Sequence, residues 1–192
     1  TINNVKKLSS GQAQYSAMCL PDGGIIDDLI LYKFDDHFFM VVNASNIEKN
    51  WAWIKDHCPK NVDIQNVSND ISLIAVQGPK AREVLSSVFP EVDELAFYHA
   101  SITSFNGSEI ILSRTGYTGE LGFEIYGGHK AILEIWKILY NSKKVIPCGL
   151  AVRDVLRMEM KYCLYGNDID ESTNPLEAGL GWITSFDKEF IG

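Results

Sequence analysis

The sequence predicts an α+β fold made of two similar α/β units, each with a mainly antiparallel sheet packed against helices. Two turn signals predict hairpins, namely the Pro- and Gly-containing segment 21–24 and the Asn106-Gly107 pair, because each lies between two strand-like stretches. A repeat is the other indication, since three strands, a helix and a further strand follow one another in both halves of the chain. We therefore expect a first unit over residues 1–68 and a second over residues 69–192.

The first unit is predicted to contain one helix among its strands. Ser45 and Glu48 form a capping-box pattern, which predicts a helix that begins there and ends near Asp56. Strand-like alternation and apolar runs predict the remaining elements over residues 13–20, 24–33, 38–42 and 62–67.

The second unit is predicted to open with an additional strand, 71–76, followed by a helix that begins at Gly78-Pro79 and carries Val88. The Asn106-Gly107 hairpin joins strands 102–105 and 109–112. The later elements are a strand at 122–126, a helix at 129–141 with Ile132, Ile135, Trp136 and Leu139 facing inward, a strand at 145–148 and a helix at 150–162. Because the first unit has no counterpart of the opening strand and helix, we expect it to be truncated at its N-terminus.

Charge and hydropathy exclude two classes of partner. The 192 residues carry 17 Lys and Arg against 25 Asp and Glu, a formal net charge of −8. Nucleic-acid binding and anchoring on anionic lipid both need a basic surface, so we expect neither a nucleic acid nor a membrane as partner. No apolar run has the length of a membrane span.

The cysteines and the acidic loop near the C-terminus predict no metal site. Cys19, Cys58, Cys148 and Cys163 lie in no zinc-binding spacing, and we expect buried free thiols in a reducing compartment. That compartment is the cytoplasm or, in a eukaryote, the mitochondrial matrix. The loop at 168–174 alternates oxygen-bearing side chains but lacks the Gly and Glu of a calcium loop.

Two adjacent carboxylates, Asp27 and Asp28, interrupt an otherwise apolar strand. Alternation along a strand sends them to opposite faces. One interpretation is an edge strand on which both are partly solvated. The other is that one of them points into a cleft and acts as an acid or base with a raised pKa.

A glycine-spaced turn at 114–124 and a row of cations are two further candidate sites. The turn has neither the dinucleotide fingerprint nor the lysine of a P-loop. We expect its glycines to let the backbone approach another layer or a ligand, and Tyr117 and Glu124 flank that approach.

The cations Arg153, Arg157 and Lys161 recur every fourth residue. They form either a solvated helix face or a site for a carboxylate-bearing ligand.

Taken together, these segments resemble the glycine cleavage system T-protein family of aminomethyltransferases. The residues that carry the resemblance lie in the same order over nearly the whole chain: Gly11 to Tyr15, Gly23 to Leu29, Val41 to Ala44, Gln77 to Pro79, Arg114 to Glu120, Gly149-Leu150, Arg153-Asp154 and Leu164 to Asp170. The family's N-terminal segment and its C-terminal β-rich domain have no counterpart here.

The resemblance implies the family's folate-binding fold and its reaction. In that reaction the aminomethyl carbon passes from the lipoyl arm of H-protein to tetrahydrofolate, and ammonia leaves. Tetrahydrofolate is then a co-substrate, H-protein a partner, and no metal is used.

The resemblance also implies the roles of individual residues. Asp28 matches the catalytic carboxylate, which would handle protons and stabilise a cationic centre. Glu124 matches a pterin-binding residue, and the chemistry agrees, because one carboxylate can accept hydrogen bonds from a ring N–H and an exocyclic amine together. The remaining implied pocket residues are Tyr15, Tyr32, Asn43, Phe97, Tyr117, Arg153 and Tyr162; Phe97 stands where some members have Tyr.

Three alternatives stay open at this point. One is a non-enzymatic folate-binding relative that assists iron–sulfur assembly, although that branch carries a Cys-Tyr pair that this chain lacks. Another is the folate module of a demethylating oxidase, which usually follows a long flavin domain. The third is a folded piece without activity.

Overall fold

The strands form two separate antiparallel sheets in a computed structural model that describes residues 1–192. The first sheet contains β1 (Ala13–Cys19), β2 (Ile25–Lys33) and β3 (Phe38–Val42) in that order, and the helix α1 (Ile47–His57) follows. The second has the order β4-β7-β6-β5, from β4 (Ile71–Gln77), β5 (Ala100–Phe105), β6 (Ser108–Ser113) and β7 (Gly122–Gly128). Its helices are α2 (Ala81–Leu85), α3 (His129–Asn141) and α4 (Leu150–Glu159).

The predicted fold class is confirmed, and of the predicted repeat the three strands and the helix are present in both units. In each unit a three-strand antiparallel meander leads into a helix, β1 to β3 into α1 and β5 to β7 into α3. β4 is the extra strand of the second unit and pairs with β7.

The two compact units differ from the predicted division at 68/69. One unit combines Thr1–Asn66 with Cys163–Gly192, and the other is Val67–Tyr162. The C-terminal segment belongs to the first unit because Ile169, Leu180 and Ile183 share a buried cluster with Ile25. Scattered apolar residues in a loop-rich segment do not reveal which unit they will cover, so this placement of the C-terminal segment could not be predicted.

In the first unit, a bulge in β2 sets which side chains face which core. Met18 lies opposite Asp27 whereas Cys19 lies opposite Ile25, so that Ile26 is the extra residue. Ile25 packs on one face of the sheet. Ile26 packs on the other, where α1 contributes Trp53 and Ile54 to the cluster.

In the second unit, one apolar core lies between the sheet and the helices. Ile110, Leu112, Phe123 and Ile125 of the central strands contact α2 and α3 in this core. The longest helix, α3, has 13 residues, and none of the helices has the length and apolar character needed to cross a membrane.

Two predicted strands are wrong. Residues 62–67 and 145–148 have no strand structure, because no neighbouring strand pairs with either segment and β-propensity alone does not create a ladder. Pro147 also removes a backbone donor from the second segment, where Ile146 is largely exposed.

Four smaller predictions are also corrected. The capping box at Ser45 does not form, and Asn46 occupies the N-cap of α1. α2 ends before Val88, and Trp136 is half-exposed because it lies beside, not within, the buried stripe of α3. All four cysteines are free, but only Cys19 is buried.

Candidate functional site

The candidate residues of the first unit gather around Asp28, in the middle of the central strand β2. The hydroxyl of Tyr15, on β1, donates to Oδ2 of Asp28 at 2.9 Å. The side-chain amide of Asn43, which directly follows β3, donates to Oδ1 at 2.7 Å. Both carboxyl oxygens of Asp28 are therefore held by neighbouring strands, and the prediction that Tyr15, Asp28 and Asn43 share one site is consistent with this geometry.

Asp27 lies on the opposite face of β2 and is fully buried, 0% exposed. Its two oxygens accept hydrogen bonds from the backbone and side-chain nitrogens of Asn43 and from the side-chain amides of Asn46 and Asn50. The interpretation of β2 as an edge strand with both acids partly solvated is therefore wrong, because β2 lies between β1 and β3. The three asparagines satisfy the carboxylate without a cation.

The surroundings of Asp28 favour its protonated form. Burial raises the pKa of Asp28 above its usual value, and the neighbouring charge of Asp27 acts in the same direction. The hydrogen bonds from Tyr15 and Asn43 oppose this, but the net pKa shift is upward. A carboxyl group with a raised pKa exchanges protons more readily near neutral pH than an ordinary surface aspartate.

Two other aromatic residues of the first unit have contrasting positions. Tyr32 is fully buried with its ring 6.0 Å from that of Phe39, which favours a role in the core, and its role in ligand binding stays a prediction. Trp182 was not singled out from the sequence. Its ring stacks on Tyr15 at 6.0 Å and is 73% exposed, so it presents an open aromatic face beside the Asp28 site.

In the second unit, Glu124 lies on β7 with two hydroxyl groups on one of its oxygens. Thr115 and Tyr126 both donate to Oε2. Burial raises the pKa of Tyr98 to about 12, and the nearby Glu124 carboxylate contributes to this rise. Tyr126 is two residues from Glu124 on the same strand, so alternation alone could have identified it.

The side chain of Gln77 explains two glycines of the turn at 114–124. Its amide nitrogen donates to the backbone oxygens of Thr115 and Phe123. A Cβ added at Gly116 or Gly122 would lie 2.0 or 1.8 Å from its Oε1. The glycines do allow a close approach, but the approaching group is this side chain of the neighbouring strand β4, not another layer or a ligand as predicted.

A cavity of about 750 Å³ opens beside Glu124 in the second unit. Tyr117 and Arg153 also line it, together with apolar residues from β4, α3, α4 and the segment before α4. The Arg153 guanidinium lies 4.2 Å from the ring centroid of Tyr117, whose other neighbour, Tyr162, stacks at 5.8 Å. The structure therefore brings four of the predicted residues, Tyr117, Glu124, Arg153 and Tyr162, into one neighbourhood.

The predicted row of cations is not one face. Arg157 is buried and donates to Asp154 at 2.7 Å and to the backbone oxygen of Tyr162. Lys161 follows the end of α4 with a positive φ of 59°. Of these three cations, only Arg153 lines the cavity.

Phe97, another predicted pocket residue, is 68% exposed and packs edge-on against Tyr98.

Comparison with known proteins gives consistent matches. Residues 1–188 match the family model described as the GCVT N-terminal domain. An aminomethyltransferase from Halothermothrix orenii is 48% identical over 99% of this chain and 55% of its own length, and one from Flavobacterium psychrophilum is 52% identical over 99% and 54%. The crystal structure of the glycine cleavage system aminomethyltransferase T from Bartonella henselae matches with a TM-score of 0.85 and 33% identity, over 94% of this chain and 49% of that one. The chain spans about half the length of the curated relatives it matches.

Proposed function

Because the chain belongs to the GCVT N-terminal domain family, we propose that it is the folate-binding part of an aminomethyltransferase of the glycine cleavage system. The reaction transfers the aminomethyl carbon from the lipoyl arm of H-protein to tetrahydrofolate and releases ammonia. The observation that carries this proposal is the Asp28 carboxyl group, which has a raised pKa and is held on both oxygens by Tyr15 and Asn43.

In this proposal Asp28 exchanges protons with the reacting amines and stabilises the positive charge that develops at the transferred carbon. The hydrogen bonds from Tyr15 and Asn43 restrict how the carboxyl group can turn, so that it is oriented before the substrate arrives. Each Asp28 oxygen accepts one of these bonds and retains a second lone pair as an acceptor for a ligand.

Glu124 is proposed to hold the pterin edge. Since Thr115 and Tyr126 both occupy Oε2, Oε1 is the oxygen that a ligand N–H reaches. The cavity at Glu124 has the size of known small-molecule sites. Its aromatic and cationic pair, Tyr117 and Arg153, suits the flat rings and the carboxylate of a folate.

The experiment uses the full-length protein that contains this chain, together with aminomethylated H-protein and tetrahydrofolate. Asp28→Asn is expected to lower turnover about 10²- to 10⁴-fold, the contribution of a positioned acid or base. Tetrahydrofolate affinity should change far less. The matched control is Asp36→Asn, which makes the same chemical change at a turn residue whose side chain is 88% exposed.

The same assay separates the remaining possibilities. A wild-type protein that binds tetrahydrofolate without transferring the aminomethyl carbon would refute the transferase and favour a non-enzymatic folate-binding relative or an oxidase module. Equal turnover of the wild type and Asp28→Asn would refute the role of Asp28.

A further inference from the structure

Asp27 is a buried ionisable group to which the proposed mechanism assigns no role. It is fully buried in the first unit and accepts hydrogen bonds only from neutral groups, the backbone and side chain of Asn43 and the amides of Asn46 and Asn50. A carboxylate offers two acceptor oxygens to these four N–H groups, whereas a neutral amide offers one, so the network itself favours an acid here. Two of the four bonds come from Asn43, whose side-chain amide also reaches Asp28.

Asn43 connects Asp27 to Asp28. Its Nδ2 atom lies 2.8 Å from Oδ1 of Asp27 and 2.7 Å from Oδ1 of Asp28. Its backbone N–H also donates to Oδ2 of Asp27 at 3.2 Å. Asp27 thus holds Asn43 at two points, and because the amide group is planar, one N–H directed at Asp27 fixes the direction of the other toward Asp28.

Few titratable groups face Asp28. They are Tyr15 on β1, whose hydroxyl donates to it, and Asp27 on β2, whose negative charge opposes ionisation of Asp28. From the end of β3 it is faced by the neutral Asn43. Asp27 therefore reaches Asp28 along two routes, through the Asn43 amide and through its charge.

On these contacts we infer that Asp27 is a positioning residue, which holds the Asn43 amide against Asp28 and thereby fixes the orientation of the Asp28 carboxyl group. The inference rests on the proposed role of Asp28 in aminomethyl transfer. It makes the pair of adjacent acids a functional unit in which the buried member aligns the reactive one.

Three variants of the full-length protein test it. Asp27→Ala removes both hydrogen bonds by which Asp27 holds Asn43. Asp27→Asn removes the charge but keeps one oxygen for the Asn43 amide, and the buried Oδ1 of Asn50, which has no hydrogen-bond partner, can turn to accept from the new amide group. We therefore expect Asp27→Asn to fold. Asp36→Asn is the matched control, since it makes the same chemical change as Asp27→Asn at an exposed turn residue outside this network.

The expected results differ for each variant. Asp27→Ala should lower kcat about 10- to 100-fold, as misplacement of a reacting group does, with little change in the KM for tetrahydrofolate. Asp27→Asn should move the acid limb of the kcat profile to lower pH, because loss of the neighbouring charge lowers the pKa of Asp28. Asp36→Asn should keep the wild-type kcat and pH profile. A wild-type profile in Asp27→Asn, or the same change in Asp36→Asn, would overturn the inference, and this holds even if Asp27→Ala does not fold.

A second measurement does not depend on turnover. In protein labelled with ¹⁵N-asparagine, the side-chain amide signals of Asn43 should follow the titration of Asp28. The midpoint should move to lower pH in Asp27→Asn and stay unchanged in Asp36→Asn. An unshifted midpoint in Asp27→Asn would refute only the role of Asp27. If the midpoint shifts in Asp27→Asn as expected but the wild-type protein transfers no aminomethyl carbon, only the proposed function is refuted.

Discussion

Glu124→Gln is expected to weaken folate binding while leaving the protein's own hydrogen bonds intact. In the structure Oε2 of Glu124 accepts from both Thr115 and Tyr126. A glutamine has only one acceptor oxygen, and these two donors will hold it at the Oε2 position. The NH₂ group then takes the place of Oε1, where a pterin N–H would arrive, and two donors face each other.

The magnitude follows from what is lost. A hydrogen bond to a charged group contributes about 1.5–3 kcal/mol. Since about 1.4 kcal/mol corresponds to a tenfold change, the Kd for tetrahydrofolate should rise roughly 10- to 150-fold. The free energy of unfolding should change by less than about 1 kcal/mol, because the bonds from Thr115 and Tyr126 remain.

Calorimetric titration of the full-length protein with tetrahydrofolate measures the affinity, and thermal unfolding of the same samples measures the stability. Glu120→Gln, an exposed residue of the same turn, is the matched control and should alter neither. An unchanged Kd in Glu124→Gln would show that this carboxylate does not contact the ligand. A parallel loss of affinity and stability would show that its role is to hold β7 and the turn together.

Two further predictions concern the stability of the first unit. Burial raises the pKa of Asp28 above 3.8, so its contribution to stability is fully present below the unfolded-state pKa and is lost as pH rises through the folded-state pKa. Thermal unfolding should therefore show Asp28→Asn to be more stable than the wild type at pH 7, with the gain disappearing near pH 3. An equal gain at both pH values would contradict this direction. A Cβ at Gly24 would lie 1.9 Å from the backbone oxygen of Glu171, so Gly24→Ala should lower the urea midpoint of unfolding markedly. Gly149→Ala is the control and should not lower it, because a Cβ there meets nothing within 4 Å. Equal midpoints for the two variants would show that the Glu171 loop moves aside freely.

The sequence predicts those elements whose causes lie close together in the chain. The hairpin at Asn106-Gly107 forms because both residues adopt the positive φ that a tight two-residue turn needs. β1, β2 and β3 follow from strand-like alternation or apolar runs between recognisable turns. Residues 62–67 show a similar alternation without forming a strand, since a ladder also needs a partner that no local pattern supplies.

The candidate site divides in the same way. The pair Asp27-Asp28 could be singled out from the sequence because charges in an apolar strand are unusual, and the family resemblance pointed to Asp28 of the two. The surroundings of Asp27 could not be predicted, because Asn43, Asn46 and Asn50 are 16, 19 and 23 residues away from it. Only the folded arrangement of β3 and α1 against β2 brings their amides together.

The two candidate carboxylates are held in different ways, and the difference matches the roles proposed for them. Asp28 accepts one hydrogen bond on each oxygen, which fixes the plane of the group and suits a residue that must deliver or receive a proton at one point. Glu124 accepts both of its bonds on Oε2, so Oε1 keeps both lone pairs for the donors of a ligand. A carboxylate that recognises a ligand needs this free acceptor capacity, whereas one that moves a proton needs a fixed orientation and a raised pKa. The structure provides the free acceptor oxygen at Glu124, and it provides the fixed orientation and the raised pKa at Asp28.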